Sequence, residues 1–328
     1  MVTGTIGVIG GGAWGTALAQ VAAGSGEALL WARESEVVES INAARENRLF
    51  LPGIALDPAI RATDDLSALA GCEALLVVTP AQHMRAVLAA MPRLEAPLIL
   101  CAKGMEESTT KLMHDVAREE QPDAPIAVLS GPTFAHEVAA RQPAAVTLAV
   151  EAQAVGERLR ARLARPWFRP YLSDDVIGAE IGGAVKNVLA IACGVVEGRG
   201  LGLNARAALI SRGFAEMTRF GLARGARAET LAGLSGLGDL VLTCSSTSSR
   251  NFSLGKGLGE GRSAAELLRD RRTVAEGAFT APVLDRAARA AGVDMPIVAA
   301  VCALLSGEGS VGEVVERLLA RPLRAEGA

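Results

Sequence analysis

Two lysines occupy positions from which an ammonium group could bind an anion or move a proton. Lys103 follows the apolar run 97–102, and Lys186 stands beside Asn187 in an apolar stretch, shortly after the glycine pair 182–183. Lysine, unlike arginine, can exchange a proton near neutral pH once it is partly removed from water. We interpret both lysines as candidate catalytic residues. A surface lysine at 103, and a helix-packing glycine pair with a solvent-reaching lysine at 186, are the open alternatives.

A lone acid and a hydroxyl-rich stretch form a second candidate site. Asp239 stands within the apolar segment 234–244, and the hydroxyl residues of 245–249 run into Arg250 and Asn251 at a predicted helix start. The arginine fork, hydroxyl groups and N–H groups of a helix end together suit a phosphate group. We expect a phosphate monoester to bind here, with a polar N-capped loop as the alternative.

Glycines near the N-terminus predict a dinucleotide-binding turn. Residues 10–15 read G-G-G-A-W-G, which contains G-x-G-x-x-G between a predicted strand and a predicted helix. Gly10 would allow the tight turn, Gly12 the approach of a pyrophosphate to the backbone, and Gly15 close packing of helix on strand. A flexible turn without a ligand is the alternative, and the strand–helix–strand context argues against it.

The end of the second predicted strand indicates the type of cofactor. NAD sites usually place Asp or Glu about 20 residues after the glycine motif, where it binds the ribose 2′-hydroxyl. Here the strand ends with Ala32 and Arg33, and Glu34 comes one position late. Arg33 could bind a 2′-phosphate, so we expect NADP(H) to be preferred and NAD(H) to be possible. A solvated surface charge at Arg33 is the alternative.

Alternating strand and helix patterns position these residues in the first half of the chain. Short apolar runs separated by helical spacing predict parallel βαβ units. The predicted strands are 5–9, 28–31, 73–79, 97–102, 126–130, 144–150 and 169–173, and the predicted helices are 13–23, 35–46 and 109–119. We therefore expect an α/β fold in which residues 1–178 form a doubly wound, Rossmann-like, mostly parallel sheet that binds a dinucleotide.

Strand patterns stop near Asp175, and only helical patterns follow. The predicted helices are 179–197, 205–224, 264–269, 280–291, 296–305 and 311–319. Ser263 and Ser310, each with Glu three positions later, predict capping boxes. The glycine-rich stretches 198–202 and 255–261 are predicted loops. We therefore expect residues 179–328 to form an all-helical, substrate-binding domain.

Charge and composition argue against several classes of protein. The chain is 50% hydrophobic, enough for a core, and its net charge of −3 comes without a basic cluster that would indicate nucleic acid or an anionic membrane as a partner. No apolar run reaches the roughly 20 residues that span a bilayer, and residues 1–4 lack the basic region of a signal peptide. We expect a cytoplasmic protein.

Cysteine and histidine spacing does not predict a metal site. The five cysteines form no CxxC pair, and the three histidines, His83, His114 and His136, are scattered. An odd number of unpaired cysteines fits reduced thiols rather than a disulfide framework. We expect no bound metal.

Taken together, these segments resemble the NAD(P)-dependent glycerol-3-phosphate dehydrogenases of the bacterial type. Nine segments occur in the family's order over nearly the whole chain: GGGAWGTALA, LWAR, VVTPAQ, CAKG, GPTFAHEVA, GAVKNVLAIACG, GLSGLGDLVLTC, SSRN and TVAEG. Any one of them is modest evidence, whereas all nine in order are specific. Ala13 and Thr133 stand where the family often has Ser, and His136 where it has another polar residue.

The resemblance implies roles for individual residues. Lys186 would accept the proton of the substrate C2 hydroxyl in oxidation and donate it in reduction. Lys103 would contact both substrate and cofactor, and Asp239 would bind the substrate hydroxyls or hold Lys186. The other substrate residues would be Gly131, Thr133, Asn187, Ser249, Arg250 and Asn251. The cofactor would contact Gly10, Gly12, Ala13, Trp14, Gly15, Arg33, Lys103, Ala135, Arg250, Val274 and Glu276.

The implied reaction is the reversible reduction of dihydroxyacetone phosphate to sn-glycerol 3-phosphate, a precursor of glycerophospholipids. By the same resemblance we expect a homodimer. A ketopantoate-type or 3-hydroxyacid reductase is the closest alternative, and it would need a carboxylate-binding site. A dinucleotide sensor without catalysis is another, and it would need neither Lys186 nor Asp239.

Overall fold

The structure, a computed structural model, describes residues 4–269 and 275–322. Eight strands form one sheet in the order β3-β2-β1-β4-β5-β6-β7-β8. Their bounds are β1 Ile6–Ile9, β2 Ala28–Trp31, β3 Ile60–Thr63, β4 Ala74–Val77, β5 Leu98–Leu100, β6 Ile126–Ser130, β7 Ala144–Val150 and β8 Phe168–Ser173. Strands β1 to β6 pair in parallel, β7 is antiparallel to β6, and β8 is parallel to β7.

The first six strands have the strand order of a Rossmann fold, which confirms the predicted fold class. Every residue of β1, β4, β5 and β6 is buried, as expected for strands covered on both faces. Helices cover the sheet: α1 Ala13–Ala23, α2 Ser35–Ala44, α3 Ala81–Ala89, α4 Met113–Glu120, α5 Ala135–Ala139 and α6 Gln153–Leu163.

Several of these elements differ from the sequence prediction. The edge strand β3 and the helices α3, α5 and α6 were not predicted. Strand β3 has only four residues and α5 only five, too few to show a clear hydrophobic period. Helix α4 begins at Met113 rather than at 109, because Thr110 adopts a left-handed conformation with φ of 59° that ends the preceding loop.

The rest of the described chain is helical. Its elements are α7 Val176–Gly198, α8 Gly202–Ala223, α9 Ala228–Leu231, a π-helical turn Leu234–Gly238, α10 Asp239–Cys244, α11 Arg250–Gly259, α12 Ala264–Leu267, α13 Glu276–Ala290, α14 Pro296–Ser306 and α15 Val311–Leu319. Ser310 and Glu313 form the predicted capping box. At Ser263 only half of the box is present, because the Glu266 carboxylate pairs with Arg262 instead.

The prediction of a loop over 255–261 is wrong, because its glycines serve a helix crossing. A Cβ atom at Gly255 would lie 1.9 Å from the Ile191 carbonyl oxygen, and one at Gly194 would lie 2.1 Å from the Phe252 carbonyl oxygen. Glycines on α7 and α11 therefore let the two backbones touch, and Gly255 belongs to α11 rather than to a loop.

The chain divides into two compact units. The first comprises Met1–Gly183 and Gly225–Asp239, and the second comprises Ala184–Arg224 and Leu240–Ala328. The assignment of residues 1–178 to dinucleotide binding and of 179–328 to substrate binding stays a prediction.

Helix α7 corrects the expectation that no apolar run is long enough to span a bilayer. Its 23 residues pass that test by length and composition, because it contains few charged residues. Yet 89% of its most apolar window is buried inside the structure, as in the core helix of a water-soluble protein. Length and composition alone therefore do not make α7 a membrane span.

Candidate active site

The glycine turn has the geometry that its sequence predicts. Gly10 has φ of 125°, and a Cβ atom at Gly15 would lie 1.8 Å from the Gly10 carbonyl oxygen, so the turn and the helix pack tightly. A Cβ atom at Gly12 would meet nothing within 4 Å. Gly12 therefore leaves open space at the N-terminus of α1, and the first turn of that helix carries no acidic side chain. This cradle fits the pyrophosphate of a dinucleotide.

A buried asparagine that the sequence analysis missed supports this turn. The Nδ2 atom of Asn47 donates to the Gly11 carbonyl and to the Thr16 hydroxyl, both at 2.8 Å. The Thr16 hydroxyl donates in turn to the Gly12 carbonyl at 2.9 Å. Asn47 and Thr16 are fully buried. Fixed carbonyls leave the turn's N–H groups preorganised for a ligand.

The other predicted cofactor residues have different surroundings. Ala13 and Trp14 on α1 and Ala135 on α5 pack against the same hydrophobic core, and α1 and α5 contact each other. Arg33 follows β2, its side chain is 78% exposed, and its guanidinium lies 2.9 Å from the Glu34 carboxylate. Val274 lies outside the described residues.

Lys103 and Asp239 form an ion pair. The Lys103 Nζ atom donates to Asp239 Oδ2 at 2.6 Å and to the Gly131 carbonyl at 3.5 Å. Asp239 is fully buried, and the Lys103 side chain is 15% exposed. The Thr133 hydroxyl donates to the same Gly131 carbonyl at 3.2 Å. Four of the predicted substrate residues thus meet beyond the carboxyl ends of β5 and β6.

A π-helical turn positions Asp239 beside Lys103. The Gly238 amide donates to the Gly233 carbonyl at 3.0 Å, and a Cβ atom at Gly236 would lie 1.9 Å from the Leu231 carbonyl oxygen. Only glycine fits at 236, because the turn folds back so closely on α9. Wide turns of this type are frequent at functional sites, where they redirect a side chain.

The glycine pair of α7 contacts both halves of this cluster. A Cβ atom at Gly182 would lie 2.4 Å from the Ser235 carbonyl oxygen in the π-helical turn. At Gly183 it would lie 3.0 Å from Ser130 Oγ and 3.4 Å from Lys103 Cγ. Two glycines within a helix cost about 1 kcal/mol each. This cost is offset by the close approach of α7 to the segments that carry Lys103 and Asp239.

A buried carboxylate–histidine pair ties the same half of α7 to helix α4. The Glu180 carboxylate accepts from the His114 amide at 2.9 Å and lies 2.6 Å from His114 Nδ1. Burial raises the pKa of Glu180. Burial, the largest single effect, lowers the pKa of His114, but the hydrogen bond to Glu180 and the charges of Glu180 and Asp115 together raise that pKa overall. The pair therefore retains a proton readily.

Lys186 is buried, and its partner was not predicted. Its Nζ atom donates to the Thr243 hydroxyl at 2.9 Å, and only 6% of Lys186 is exposed. Thr243 lies on α10, one turn after Asp239. A buried ammonium group held by a hydroxyl suits proton exchange.

A chain of amides surrounds the N-terminus of α11. The Asn251 Nδ2 atom donates to Asn187 Oδ1 at 3.0 Å, and Asn251 Oδ1 accepts from the Gly277 amide at 2.9 Å. The Ser249 hydroxyl caps α11 by accepting from the Phe252 amide at 3.2 Å. Arg250 is exposed at the first position of the helix. Glu276 begins α13, next to Gly277.

The comparisons with known proteins identify the family. Residues 5–156 match the family model "NAD-dependent glycerol-3-phosphate dehydrogenase N-terminus", and residues 175–316 match the corresponding C-terminus model. The chain belongs to this dehydrogenase family. It is 66% identical to the glycerol-3-phosphate dehydrogenase [NAD(P)+] of Erythrobacter litoralis over 99% of this chain and 98% of that protein.

Two further relatives support the family assignment. The glycerol-3-phosphate dehydrogenase [NAD(P)+] of Novosphingobium aromaticivorans is 66% identical over 98% of each chain. The crystal structure of the Coxiella burnetii glycerol-3-phosphate dehydrogenase superposes with a TM-score of 0.93 at 38% identity, over 98% of this dehydrogenase and all of that chain.

Sequence analysis found the charged residues of the site but not those that hold them. Asn47, Thr243 and the π-helical turn were given no role. Thr243 lay in a recognised motif, and its spacing of four from Asp239 was the one available signal. Among the described residues, no cluster of His, Cys, Asp or Glu could hold a metal ion.

Proposed function

We propose that this dehydrogenase reversibly reduces dihydroxyacetone phosphate with NAD(P)H, giving sn-glycerol 3-phosphate and NAD(P)+. The observation that carries the proposal is the Lys103–Asp239 ion pair, 2.6 Å long, beyond the strand ends of a dinucleotide fold in a member of this family. An anion-binding cation held beside a buried carboxylate suits a small polyol phosphate.

The glycine turn is proposed to hold the cofactor. Gly10, Gly12 and Gly15 would receive the pyrophosphate at the N-terminus of α1, with Ala13, Trp14 and Ala135 alongside. The bound cofactor supplies a hydride to the C2 carbon of the triose. Arg33 would leave its ion pair with Glu34 and bind the 2′-phosphate of the cofactor instead. We therefore expect NADP(H) to be the preferred form. Arg250, Val274 and Glu276 complete the proposed contacts.

Lys186 is proposed to move the proton. In reduction its ammonium group would donate a proton to the C2 oxygen, and in oxidation the neutral amine would accept it. The Thr243 hydroxyl orients the ammonium, since it accepts a hydrogen bond from one of the three N–H groups. Lys103 would stabilise negative charge on the C2 oxygen, with Asp239 fixing the ammonium and binding substrate hydroxyls.

The phosphate would bind at the N-terminus of α11. Ser249, Arg250 and Asn251 offer a hydroxyl, a guanidinium and an amide there, together with the positive end of the helix dipole. Asn187 holds Asn251 in place. Gly131 and Thr133 would line the carbon chain of the substrate.

The proposal extends to the cellular setting. Residues 1–178 would bind the dinucleotide and residues 179–328 the substrate. The enzyme would act in the cytoplasm as a homodimer, supplying sn-glycerol 3-phosphate for phospholipid synthesis.

The test is the oxidation of NADPH by purified enzyme, followed by near-ultraviolet absorbance. Dihydroxyacetone phosphate should be reduced, whereas unphosphorylated dihydroxyacetone and ketopantoate should not. A faster reaction with ketopantoate would contradict the substrate assignment and leave the fold intact. NADH in place of NADPH measures the cofactor preference in the same assay.

A further inference from the structure

The loop that carries Lys103 closes on itself directly after the lysine. We call residues 101–112 the Lys103 loop; it joins β5 to α4. Met105 and Leu112 form an antiparallel bridge, and the Glu106 amide donates to the Lys111 carbonyl at 2.9 Å. The Thr110 amide donates to the Glu106 carbonyl at 2.8 Å. Lys103 thus lies between a strand end and a closed turn, and the position of the turn determines where the Lys103 backbone lies.

Helix α3 presents a glutamine to this turn. Gln82 Nε2 donates to the Met105 carbonyl at 2.8 Å, and Gln82 Oε1 accepts from the Glu107 amide at 2.9 Å. One side-chain amide therefore binds the loop backbone on both sides of Glu106, using a donor and an acceptor together. Only a glutamine at this length satisfies both groups.

An arginine one helical turn later binds the residue between them. Arg85 Nε and Nη2 contact the two Glu106 carboxylate oxygens at 2.7 and 2.9 Å, a bidentate pair. The Thr109 hydroxyl donates to Glu106 Oε2 at 2.6 Å. The Arg85 guanidinium holds the pKa of Glu106 below its usual range. Glu106 is only 8% exposed, so this contact is largely shielded from water.

Arg85 also binds the C-terminal end of α4, the helix that follows the loop. Its Nη1 and Nη2 atoms contact Glu120 and Glu119 on α4 at 2.6 and 2.8 Å. Gln82 and Arg85, which we call the α3 clamp, therefore bind the Lys103 loop and the helix that follows it. Helix α3 itself begins two residues after Thr79, at the carboxyl end of β4. This end adjoins the glycine turn, since β4 pairs with β1.

We propose that the α3 clamp is a positioning device for Lys103, with Gln82 as its specific positioning residue. The clamp connects the strand end beside the cofactor to the lysine that contacts the substrate. The inference rests on the proposed function, in which the Lys103 ammonium binds substrate. The ammonium group is held at its tip by Asp239 and the Gly131 carbonyl, so a displaced Lys103 backbone would strain these contacts or move the ammonium group. A displacement of about 1 Å can cost up to 100-fold in rate.

The test is a double-mutant cycle between Gln82→Leu and Lys103→Ala. Dihydroxyacetone phosphate is titrated calorimetrically into enzyme saturated with NADP+, a pair that cannot react because both partners are oxidised. Gln82→Leu should weaken this binding about tenfold in the native background and less than twofold beside Lys103→Ala, since Gln82 acts through Lys103. Its NADP+ affinity should fall no more than that of Lys103→Ala, since Lys103 is also a proposed cofactor contact.

Controls separate positioning from general destabilisation. His83→Ala removes an exposed side chain of the same helix and should leave triose binding unchanged. Gln82→Glu keeps the acceptor for the Glu107 amide but loses the donor to Met105, so it should weaken triose binding less than Gln82→Leu. This variant replaces Gln82→Leu in the cycle if the leucine variant folds poorly.

The outcomes distinguish the positioning role of Gln82 from the proposed role of Lys103. An equal loss from Gln82→Leu in both backgrounds, or no loss in the native one, would overturn the positioning role while Lys103→Ala still weakens binding. Unchanged binding in Lys103→Ala itself would overturn the proposed role of Lys103, and the positioning inference with it.

Discussion

The ammonium group of Lys103 lies 2.6 Å from the carboxylate of Asp239, which has no solvent exposure. A buried carboxylate is stable only with charge-assisted partners, because its loss of hydration costs several kcal/mol. The pair therefore fixes both groups: Asp239 directs the ammonium, and the ammonium is a charge-assisted partner of the buried carboxylate. Such mutual fixation before substrate arrives is what electrostatic preorganisation requires.

Asp239→Asn should test this relationship. The amide has nearly the same shape but carries no charge, so the Lys103 ammonium loses its counter-ion. We expect kcat/KM for dihydroxyacetone phosphate to fall at least about 100-fold and the free energy of unfolding by about 2 kcal/mol. Steady-state kinetics and urea unfolding measure these effects. Native kcat/KM in the variant would show that the pair is structural only.

Lys186→Ala should separate proton transfer from binding. Without the amine, no group at this position donates a proton to the C2 oxygen, and turnover should fall at least about 1,000-fold while NADPH binding stays within twofold. Fluorescence titration of NADPH and single-turnover absorbance measure the two quantities. Thr243→Val, which removes the hydroxyl 2.9 Å from the amine, should lose less, about tenfold. Retained turnover in Lys186→Ala would remove Lys186 as the proton carrier.

Arg33→Ala should weaken NADPH far more than NADH. A guanidinium–phosphate contact contributes about 1.5–3 kcal/mol, so NADPH affinity should fall roughly 10- to 100-fold and NADH affinity by less than twofold. Glu34→Gln is the matched control. It releases Arg33 from its 2.9 Å ion pair and should strengthen NADPH binding. Equal losses for both cofactors in Arg33→Ala would place the 2′-phosphate elsewhere.

Sequence patterns predicted the fold wherever a short-range signal was strong. Strands β2, β6 and β7 and helices α1 and α15 have the predicted bounds, because their apolar residues follow one period without interruption. The glycine-rich end of α11 was predicted as a loop, since its glycines are explained only by contact with α7. Local propensity carries no information about such long-range contacts.

The charged residues of the site were predictable from the sequence, whereas the polar residues that hold them in place were not. Lys103, Asp239 and Lys186 are ionisable residues in apolar segments, an anomaly visible in one sequence. Asn47, Gln82 and Thr243 are ordinary polar residues whose roles depend on partners between 23 and 57 positions away. Only the folded chain identifies them.

Glu216 should make the free energy of unfolding decrease as the pH rises. This buried carboxyl on α8 accepts from the Ile297 and Val298 amides, near Arg219 and Asp294, and burial raises its pKa from 4.5 to about 7. The folded state therefore holds the proton more tightly than the unfolded chain. Stability is highest below about pH 4.5 for this group, declines as pH rises to about 7, and is constant above it.

Glu216→Gln removes that titration. The variant should lie within about 1 kcal/mol of the native protein near pH 5 and exceed it by up to about 3 kcal/mol near pH 8. Urea unfolding at each pH, with the exposed Glu266→Gln as control, measures the difference. A native-minus-variant difference that does not change between pH 5 and pH 8 would contradict the raised pKa.

Gly12→Ala should weaken cofactor binding without unfolding the protein. The new Cβ atom meets nothing within 4 Å in the structure, so the melting temperature should match that of Gly71→Ala, a control glycine with equally open surroundings. The methyl group would occupy the space proposed for the pyrophosphate, and NADPH affinity should fall at least about tenfold. In contrast, Gly15→Ala places its Cβ 1.8 Å from the Gly10 carbonyl oxygen and should destabilise the fold itself. Undiminished NADPH binding in Gly12→Ala would mean that the pyrophosphate lies away from the turn.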